Sequence, residues 1–229
     1  MILTKELDAG VARFEKLRDI LKHAADTSTP LLEVTRVQLD TMTGGAIHQG
    51  VALQLPEFHY AHPDDLLSEA IEAPGEPLVV ALDSITDPRN LGAVVRSAAA
   101  FGANGVLIPE RRSAGMTASA WKTSAGAAAR IPIAKATNLN RALRAYADAG
   151  FTLIGLDGEA DTDIADLPQA AGPVVLIVGS EGDGLSRLVR EACDTLVSIP
   201  ITASVESLNA GVATGIALYE IARARSSAA

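Results

Sequence analysis

From Leu78 onward the chain alternates short apolar runs with Ala-rich segments, and no other feature restricts its fold as much. Strands are expected at Leu78–Leu82, Gly105–Ile108, Arg130–Ile133, Thr152–Leu156, Val174–Val178 and Thr195–Ile199. Helices are expected at Leu91–Phe101, Ser119–Ala127, Leu139–Ala149, Ser186–Ala192 and Ser207–Arg225. Apolar, β-branched strands separated by helices imply an α/β fold, a parallel sheet with helices on both faces. Aromatic residues are 3% of a chain that is 48% hydrophobic, so Ala, Val, Leu and Ile fill the core. That filling suits strands buried on both sides.

The first 55 residues follow a different pattern. They read as helix Leu7–Ala25, strand Leu31–Val34, short helix Val37–Thr41 and strand Val51–Leu55. The stretch Pro56–Pro77 is richer in Pro, His, Asp and Glu, as a linker is, with a helical turn around Asp64–Glu72. A small domain at 1–55, a linker at 56–77 and a larger domain at 78–229 follow from this. The length of 229 residues fits one domain of about 150 residues and a smaller one.

Composition removes several classes. Cys193 is the one cysteine, which excludes a disulfide framework or thiolate cluster within one chain, and it reads as inert core. His23, His59 and His62 lack metal-ligand spacing with Cys or carboxylates, so no metal is expected. No apolar run approaches the roughly 20 residues of a bilayer span. Met1 to His23 is charged and amphipathic, unlike a secretory leader. A soluble, cytoplasmic protein without membrane partners is expected. Net charge is −9, which opposes long-range attraction of nucleic acid. Residues 85–130 nevertheless gather Arg89, Arg96, Arg111, Arg112, Lys122 and Arg130 against only Asp87 and Glu110. Such a local cationic zone can meet phosphates.

Three polar turns follow expected strands. In Asp83–Arg96, Pro88 starts a turn and Asn90 is placed to cap a helix, with Arg96 nearly two turns farther on. Asn90 as a plain cap and Arg96 as a surface ion-pairing residue remain open at this level. In Val174–Ser186, a buried strand runs into a glycine-rich turn with Glu181 at its centre. Gly179, Gly182 and Gly184 give G-x-x-G-x-G, not the dinucleotide G-x-G-x-x-G, and the phosphate-loop lysine is absent. An ordinary turn with Ser186 as helix cap stays open. In Ser198–Ala210 a strand stops at Pro200, crosses a polar bend and leads to a helix whose first turn carries Ser207 and Asn209. Ser204 or Ser207 as a mere cap is the alternative. Strand ends and helix N-termini together favour a small-ligand site.

The ordered motifs N-L-G-x-x-x-R (Asn90 to Arg96), V-G-S-E-G-x-G-L (Val178 to Leu185) and I-P-I-x-x-x-x-x-S-L-N (Ile199 to Asn209) resemble those of the SpoU, or SPOUT-class, RNA ribose 2′-O-methyltransferases. The resemblance covers roughly 78–225, and Lys122-Thr123-Ser124-Ala125-Gly126-Ala127 is similar to the family's K-x-S-A-G-A segment. Residues 1–55, including Gly44 to Gly50, resemble the later part of the family's small ribosomal-protein-like RNA-binding domain, with its opening strand and helix missing.

The resemblance implies a C-terminal deep trefoil knot, an exception to the usual unknotted topology. It implies S-adenosylmethionine as cofactor, met by Leu156, Gly158, Val178, Gly179, Ile199, Ile201 and Leu208. Asn90 and Arg96 would flank the ribose 2′-hydroxyl, with Glu181, Ser207 and Asn209 orienting Arg96 and the substrate. A guanidinium holds its proton at neutral pH, so Arg96 is read as pinning the adjacent phosphate and stabilising charge on the 2′-oxygen. RNA contacts are expected at His48, Gln49, Arg89, Arg111, Arg112 and Lys122, with Trp121 as a stacking or packing surface. A homodimer is implied, in which the partner's arginine can contribute to the site. The small domain resembles the branch acting on guanosine of 23S ribosomal RNA more than the transfer RNA branch. A transfer RNA 2′-O-methyltransferase, a doubly wound nucleotide-binding oxidoreductase and a catalytically silent RNA-binding module stand as alternatives.

Overall fold

The computed structural model describes residues 2–4, 11–167, 172–201 and 207–228, in two units, Met1–Phe58 and His59–Ala229. The smaller unit contains β1 (Ile2–Thr4), α1 (Val11–Asp26), β2 (Leu32–Val34), α2 (Arg36–Met42) and β3 (Val51–Ala52). The alternation gave no sign of β1, yet it is the middle strand, parallel to β2 and antiparallel to β3. Residues 7–10 of the expected first helix lie outside the described residues. Thr35 and Gln38 form a reciprocal capping box that starts α2. Leu39 and Val34 form the small core, with Ala52 against it.

The larger unit runs α3 (Pro63–Glu72), β4 (Leu78–Leu82), α4 (Pro88–Ala100), β5 (Gly105–Pro109), α5 (Ala118–Thr123), β6 (Ile133–Ala136) and α6 (Leu139–Asp148). It continues with β7 (Thr152–Leu156), β8 (Val174–Val178), α7 (Arg187–Ala192), β9 (Thr195–Val197) and α8 (Ala210–Ala228). One six-stranded sheet results, in the order β6-β5-β4-β8-β7-β9, with every pairing parallel. Every residue of β4 and β8 is buried. Val79, Ala81, Val175 and Ile177 join side chains of α3, α6 and α7 in one core cluster. Alternate residues such as Leu78 and Val80 point to the other face. There α4 packs on α5 and α8. A Cβ on Gly211 would stand 2.9 Å from that of Ala93, so the absent side chain allows α8 its close approach to α4.

Several boundaries differ from expectation. Residues 59–77, expected within a linker, belong to the larger unit, because Leu66 and Ala70 of α3 are fully buried in its core. The strand expected at Arg130–Ile133 begins instead at Ile133. Ala127–Ala129 tighten into a 3-10 turn, and the amides of Arg130 and Ile131 bond back to Ala127, which holds both out of the sheet. The helix expected at Ser119–Ala127 accordingly stops at Thr123. β9 ends at Val197 rather than Ile199, since Ser198 pairs with residues 162–164. The C-terminal helix starts at Ala210, not Ser207. Near its end, Arg225 donates to the carbonyls of Glu76, Pro77 and Gly172, at 2.7, 3.0 and 2.7 Å.

Candidate active site

The sheet order reverses between β4 and β8, and their carboxyl ends open a crevice of the kind that receives ligands in doubly wound sheets. β4 delivers Asp83 there. Asp83 is 5% exposed, and its carboxylate accepts from the Ser186 amide at 2.7 Å and the Ser84 hydroxyl at 3.2 Å. Ser84 holds a left-handed φ of 62°, so the chain turns sharply off the strand. Asp83 was not singled out from the sequence; an acid ending a buried strand before a polar turn was the available signal.

Asp87, not Asn90, caps α4, accepting from the Arg89 amide at 2.8 Å, and Pro88 takes the first helical position. Asn90 is thereby moved into the first turn and its side chain is released. Beyond β8, the amides and carbonyls of Ser180 and Gly184 exchange two hydrogen bonds of 3.0 Å. A Cβ on Gly179 would stand 2.2 Å from the Gly184 carbonyl, so only glycine permits this tight loop. The loop presents Glu181.

Glu181 Oε1 accepts from the side-chain amides of Asn90 at 2.9 Å and Asn209 at 2.6 Å, and from the Ala210 amide at 3.1 Å. Asn209 also donates to Asn90 Oδ1 at 2.9 Å. Its own Oδ1 accepts from the amides of Gly211 and Val212, which makes Asn209 the cap of α8. The three motifs thus meet in one hydrogen-bonded cluster. A carboxylate stands at a helix N-terminus, where the macrodipole favours it.

Arg96 lies exposed on α4, and its side chain makes no hydrogen bond or ion pair with any described residue. The described bonds of Glu181 run to two asparagines and the Ala210 amide, and none to Arg96. Ser207 is exposed, two residues before the cap, and likewise bonds to no described residue. Residues 202–206, with Ser204, lie outside the described residues.

The residues expected around the cofactor sit on the carboxyl ends of the adjacent strands β8, β7 and β9 and just before α8. Val178 and Gly179 are buried, Leu156, Ile199 and Leu208 half-buried, Gly158 and Ile201 exposed. The amides of Gly158, Ile199, Ile201 and Leu208 make no hydrogen bond to a described residue, and a Cβ on Gly158 would meet nothing within 4 Å. Apolar walls with main-chain donors that no described residue engages fit an adenosyl group.

Of the cationic zone, Arg89 is paired with Asp87 at 3.1 Å. Their mutual hydrogen bond holds the Asp87 carboxyl below its ordinary range and raises the Arg89 guanidinium. Arg111, Arg112, Lys122 and Arg130 are exposed, and Trp121 is half-buried. In the smaller unit the His48 side chain is only 8% exposed. Its Nδ1 accepts from the Gly50 amide at 2.9 Å, so Nε2 carries the proton and donates to Asp40 at 2.8 Å. His48 thus braces its loop, and the exposed Gln49, at φ 52°, is what the loop presents. Among the described residues there is no group of three or more His, Cys, Asp or Glu able to hold a metal ion. No helix among them is long and apolar enough to cross a membrane.

The geometry agrees with what the chain resembles. Residues 77–219 match the model of the SpoU rRNA methylase family, and residues 7–61 match that of RNA 2′-O ribose methyltransferase substrate-binding domains. An uncharacterised tRNA/rRNA methyltransferase of Mycobacterium ulcerans (strain Agy99) is 59% identical over 216 residues, 94% of this chain and 69% of that protein. The crystal structure of the SpoU methyltransferase AviRb from Streptomyces viridochromogenes with AdoMet superposes with a TM-score of 0.73. It is 26% identical, covering 99% of this chain and 82% of that one. An AdoMet-bound rRNA methyltransferase from Sinorhizobium meliloti gives the same TM-score at 25% identity, over 97% and 79% of the two chains.

Proposed function

The chain belongs to the SpoU rRNA methylase family, and from that premise we propose that it transfers a methyl group from S-adenosylmethionine to a ribose 2′-oxygen of RNA, a guanosine of 23S ribosomal RNA being the favoured target. RNA methylation with S-adenosylmethionine as donor is its general chemistry. The oxidoreductase alternative falls with the family assignment. The observation that carries the finer reading is the closed cluster of Asn90, Glu181 and Asn209.

The bound donor supplies an electrophilic methyl group on a sulfonium. The remaining work is positioning, since in-line displacement depends on alignment. Leu156, Val178, Gly179, Ile199, Ile201 and Leu208 would wall the adenosyl group, with the amides of Gly158, Ile199, Ile201 and Leu208, which bond to no described residue, as donors to it. Three donors occupy Glu181 Oε1, while Oε2 bonds to no described residue and is left to accept from the ribose 2′-hydroxyl or from Arg96. Arg96 pins the adjacent phosphate and stabilises charge building on the 2′-oxygen, so that proton loss is coupled to methyl transfer. Ser207 orients the substrate.

The smaller unit is read as an RNA-binding domain, in support of which stands the substrate-binding match. Gln49, Arg89, Arg111, Arg112 and Lys122 would meet the RNA, with His48 acting through its loop. The trefoil knot is supported by lacing between the loop after β7 and the chain leaving β9. There Ser198 donates to Thr162 and Ile164 donates to Ser198, at 2.8 and 2.9 Å. A cytoplasmic homodimer completes the reading.

The test is methyl incorporation from labelled S-adenosylmethionine into transcribed ribosomal and transfer RNA, followed by mapping of 2′-O-methyl positions. Label in 23S ribosomal RNA at one guanosine ribose is expected. Label on a base, or none in either RNA with donor bound, overturns the reading.

A further inference from the structure

β7 hands the chain to a four-residue turn, 157–160, whose second residue is Gly158. Asp157 organises it. Its amide donates to Val197 at 2.9 Å, its carbonyl accepts from Ala160 at 3.2 Å, and its Oδ1 accepts from the Glu159 amide at 2.9 Å. Asp157 Oδ2 is ion-paired with Nη1 of Arg190, the two side chains being 9% and 44% exposed. Among the described residues, no other side chain from outside the turn hydrogen-bonds to it. Arg190 stands on α7, the helix that follows the Glu181 loop. The first residue of that helical turn, Ser186, is held through its amide by the buried Asp83 at 2.7 Å. α7 therefore joins the end of β4 to the turn after β7.

We propose that Arg190 is a positioning residue for the methyl donor, acting through Asp157 to fix the turn that presents the Gly158 amide. The inference rests on the reading that this amide faces the adenosyl group. An ion pair with one partner mostly buried is screened less than an exposed pair, and the guanidinium bond to a carboxylate is among the stronger hydrogen bonds. Without Arg190 the Asp157 carboxylate loses its charge partner, and the turn keeps only its internal bonds and the main-chain bond from Asp157 to Val197. The donor then has to order the turn on binding, a cost that appears in affinity and not in the chemical step.

The experiment is calorimetric titration of the full chain with S-adenosylmethionine, with methyl-transfer kinetics and thermal melts, for wild type, Arg190→Ala, Arg190→Gln and Arg190→Lys. Arg190→Ala and Arg190→Gln are expected to raise the Kd and KM for the donor about tenfold while kcat at saturating donor stays within about twofold. KM for RNA should not move, and Arg190→Lys should recover most of the affinity. Adding Arg190→Ala to Asp157→Ala should cost nothing further, since the partner is already gone. Wild-type donor affinity in Arg190→Gln, with or without a lowered melting temperature, overturns the inference. A wild-type chain that binds no S-adenosylmethionine fails differently, removing the parent reading and the inference with it.

Discussion

Asn209 and Glu181, 28 residues apart, share the shortest bond of the central cluster, 2.6 Å from the Asn209 amide nitrogen to Glu181 Oε1. The same oxygen receives Asn90 and the first amide of α8. Removing the carboxylate therefore takes one acceptor from both asparagines at once, leaving them their mutual bond. Glu181 is exposed, so little stability depends on it. Glu181→Ala is expected to lower methyl transfer by roughly a hundredfold, in the range of losing a preorganised polar group, with the melting temperature nearly unchanged. Glu181→Gln keeps one acceptor oxygen and should fall between. Initial rates at saturating RNA and donor, beside thermal melts, decide it.

Arg96 has no partner among the described residues and so is available to the substrate. Arg96→Ala should abolish methyl transfer and leave S-adenosylmethionine binding intact. Arg96→Lys should also fail, because a point charge cannot reproduce a planar two-pronged contact. Single-turnover kinetics with calorimetry separate the effects. Wild-type turnover in Arg96→Ala would sink the assigned role.

Legibility followed the physics of each element. Leu78–Leu82, Thr152–Leu156 and Val174–Val178 were readable to the residue, because strands buried on both faces are continuous apolar runs. Ile133–Ala136 was not, since Ala-Lys-Ala carries no strand preference and its place is fixed by β5 and by the bridge of Ala61 to Ala134. The three residues of β1 become a strand only through two partners. Asn90 reads equally as a cap or a site residue from the sequence, although Asp87-Pro88 marks the helix start, with proline at the first helical position. Motif spacing pointed to Asn90, Glu181 and Asn209, but their bonds span separations of 91, 28 and 119 residues that only the sheet order closes. Asp157 with Arg190, 33 residues apart, left no sequence signal at all.

Gly179→Ala tests the loop that presents Glu181. The new Cβ meets the backbone of Gly184 at 2.2 Å and the Leu185 amide at 2.5 Å, and neither can swing aside as a side chain could. The loop must open, breaking the paired Ser180–Gly184 bonds. A loss of roughly 2–4 kcal/mol in denaturant unfolding, with loss of methyl transfer, is expected. A stability within error of wild type would show that the loop relaxes without cost.

Cys193 is half-buried, and its thiol donates to the Val189 carbonyl at 3.2 Å. Burial, with the Asp194 carboxylate adding to it, pushes the thiol up to about 12 from an ordinary 9.0. The folded chain thus holds this proton more tightly than the unfolded chain. The resulting stability is present below pH 9 and is lost as pH rises toward 12. At pH 8 the native thiol should react with an aromatic disulfide reagent far more slowly than the guanidinium-unfolded chain. Equal rates would contradict the burial assigned to it.

Val212, Ile216 and Tyr219 are spaced four and three residues apart on α8 and are 52%, 36% and 53% exposed, an apolar stripe on one face. Beside it, Gly211 and Gly215 face Ala93 and Ser97 of α4, and the Tyr219 ring meets Phe101 edge-on. A second copy is the occupant this stripe fits in the proposed homodimer, and the full chain should sediment as a dimer at micromolar concentration. Ile216→Glu should shift it to monomer. Because the Arg96 side chain bonds to no described residue of its own chain, the dimer permits it to serve the partner's Glu181 cluster. Mixing inactive Arg96→Ala and Glu181→Ala chains decides this. If the arginine acts across the interface, each mixed dimer holds one site with both residues intact, and activity returns. If it acts within its own chain, both sites of every mixed dimer stay damaged and the mixture remains as inactive as its parts.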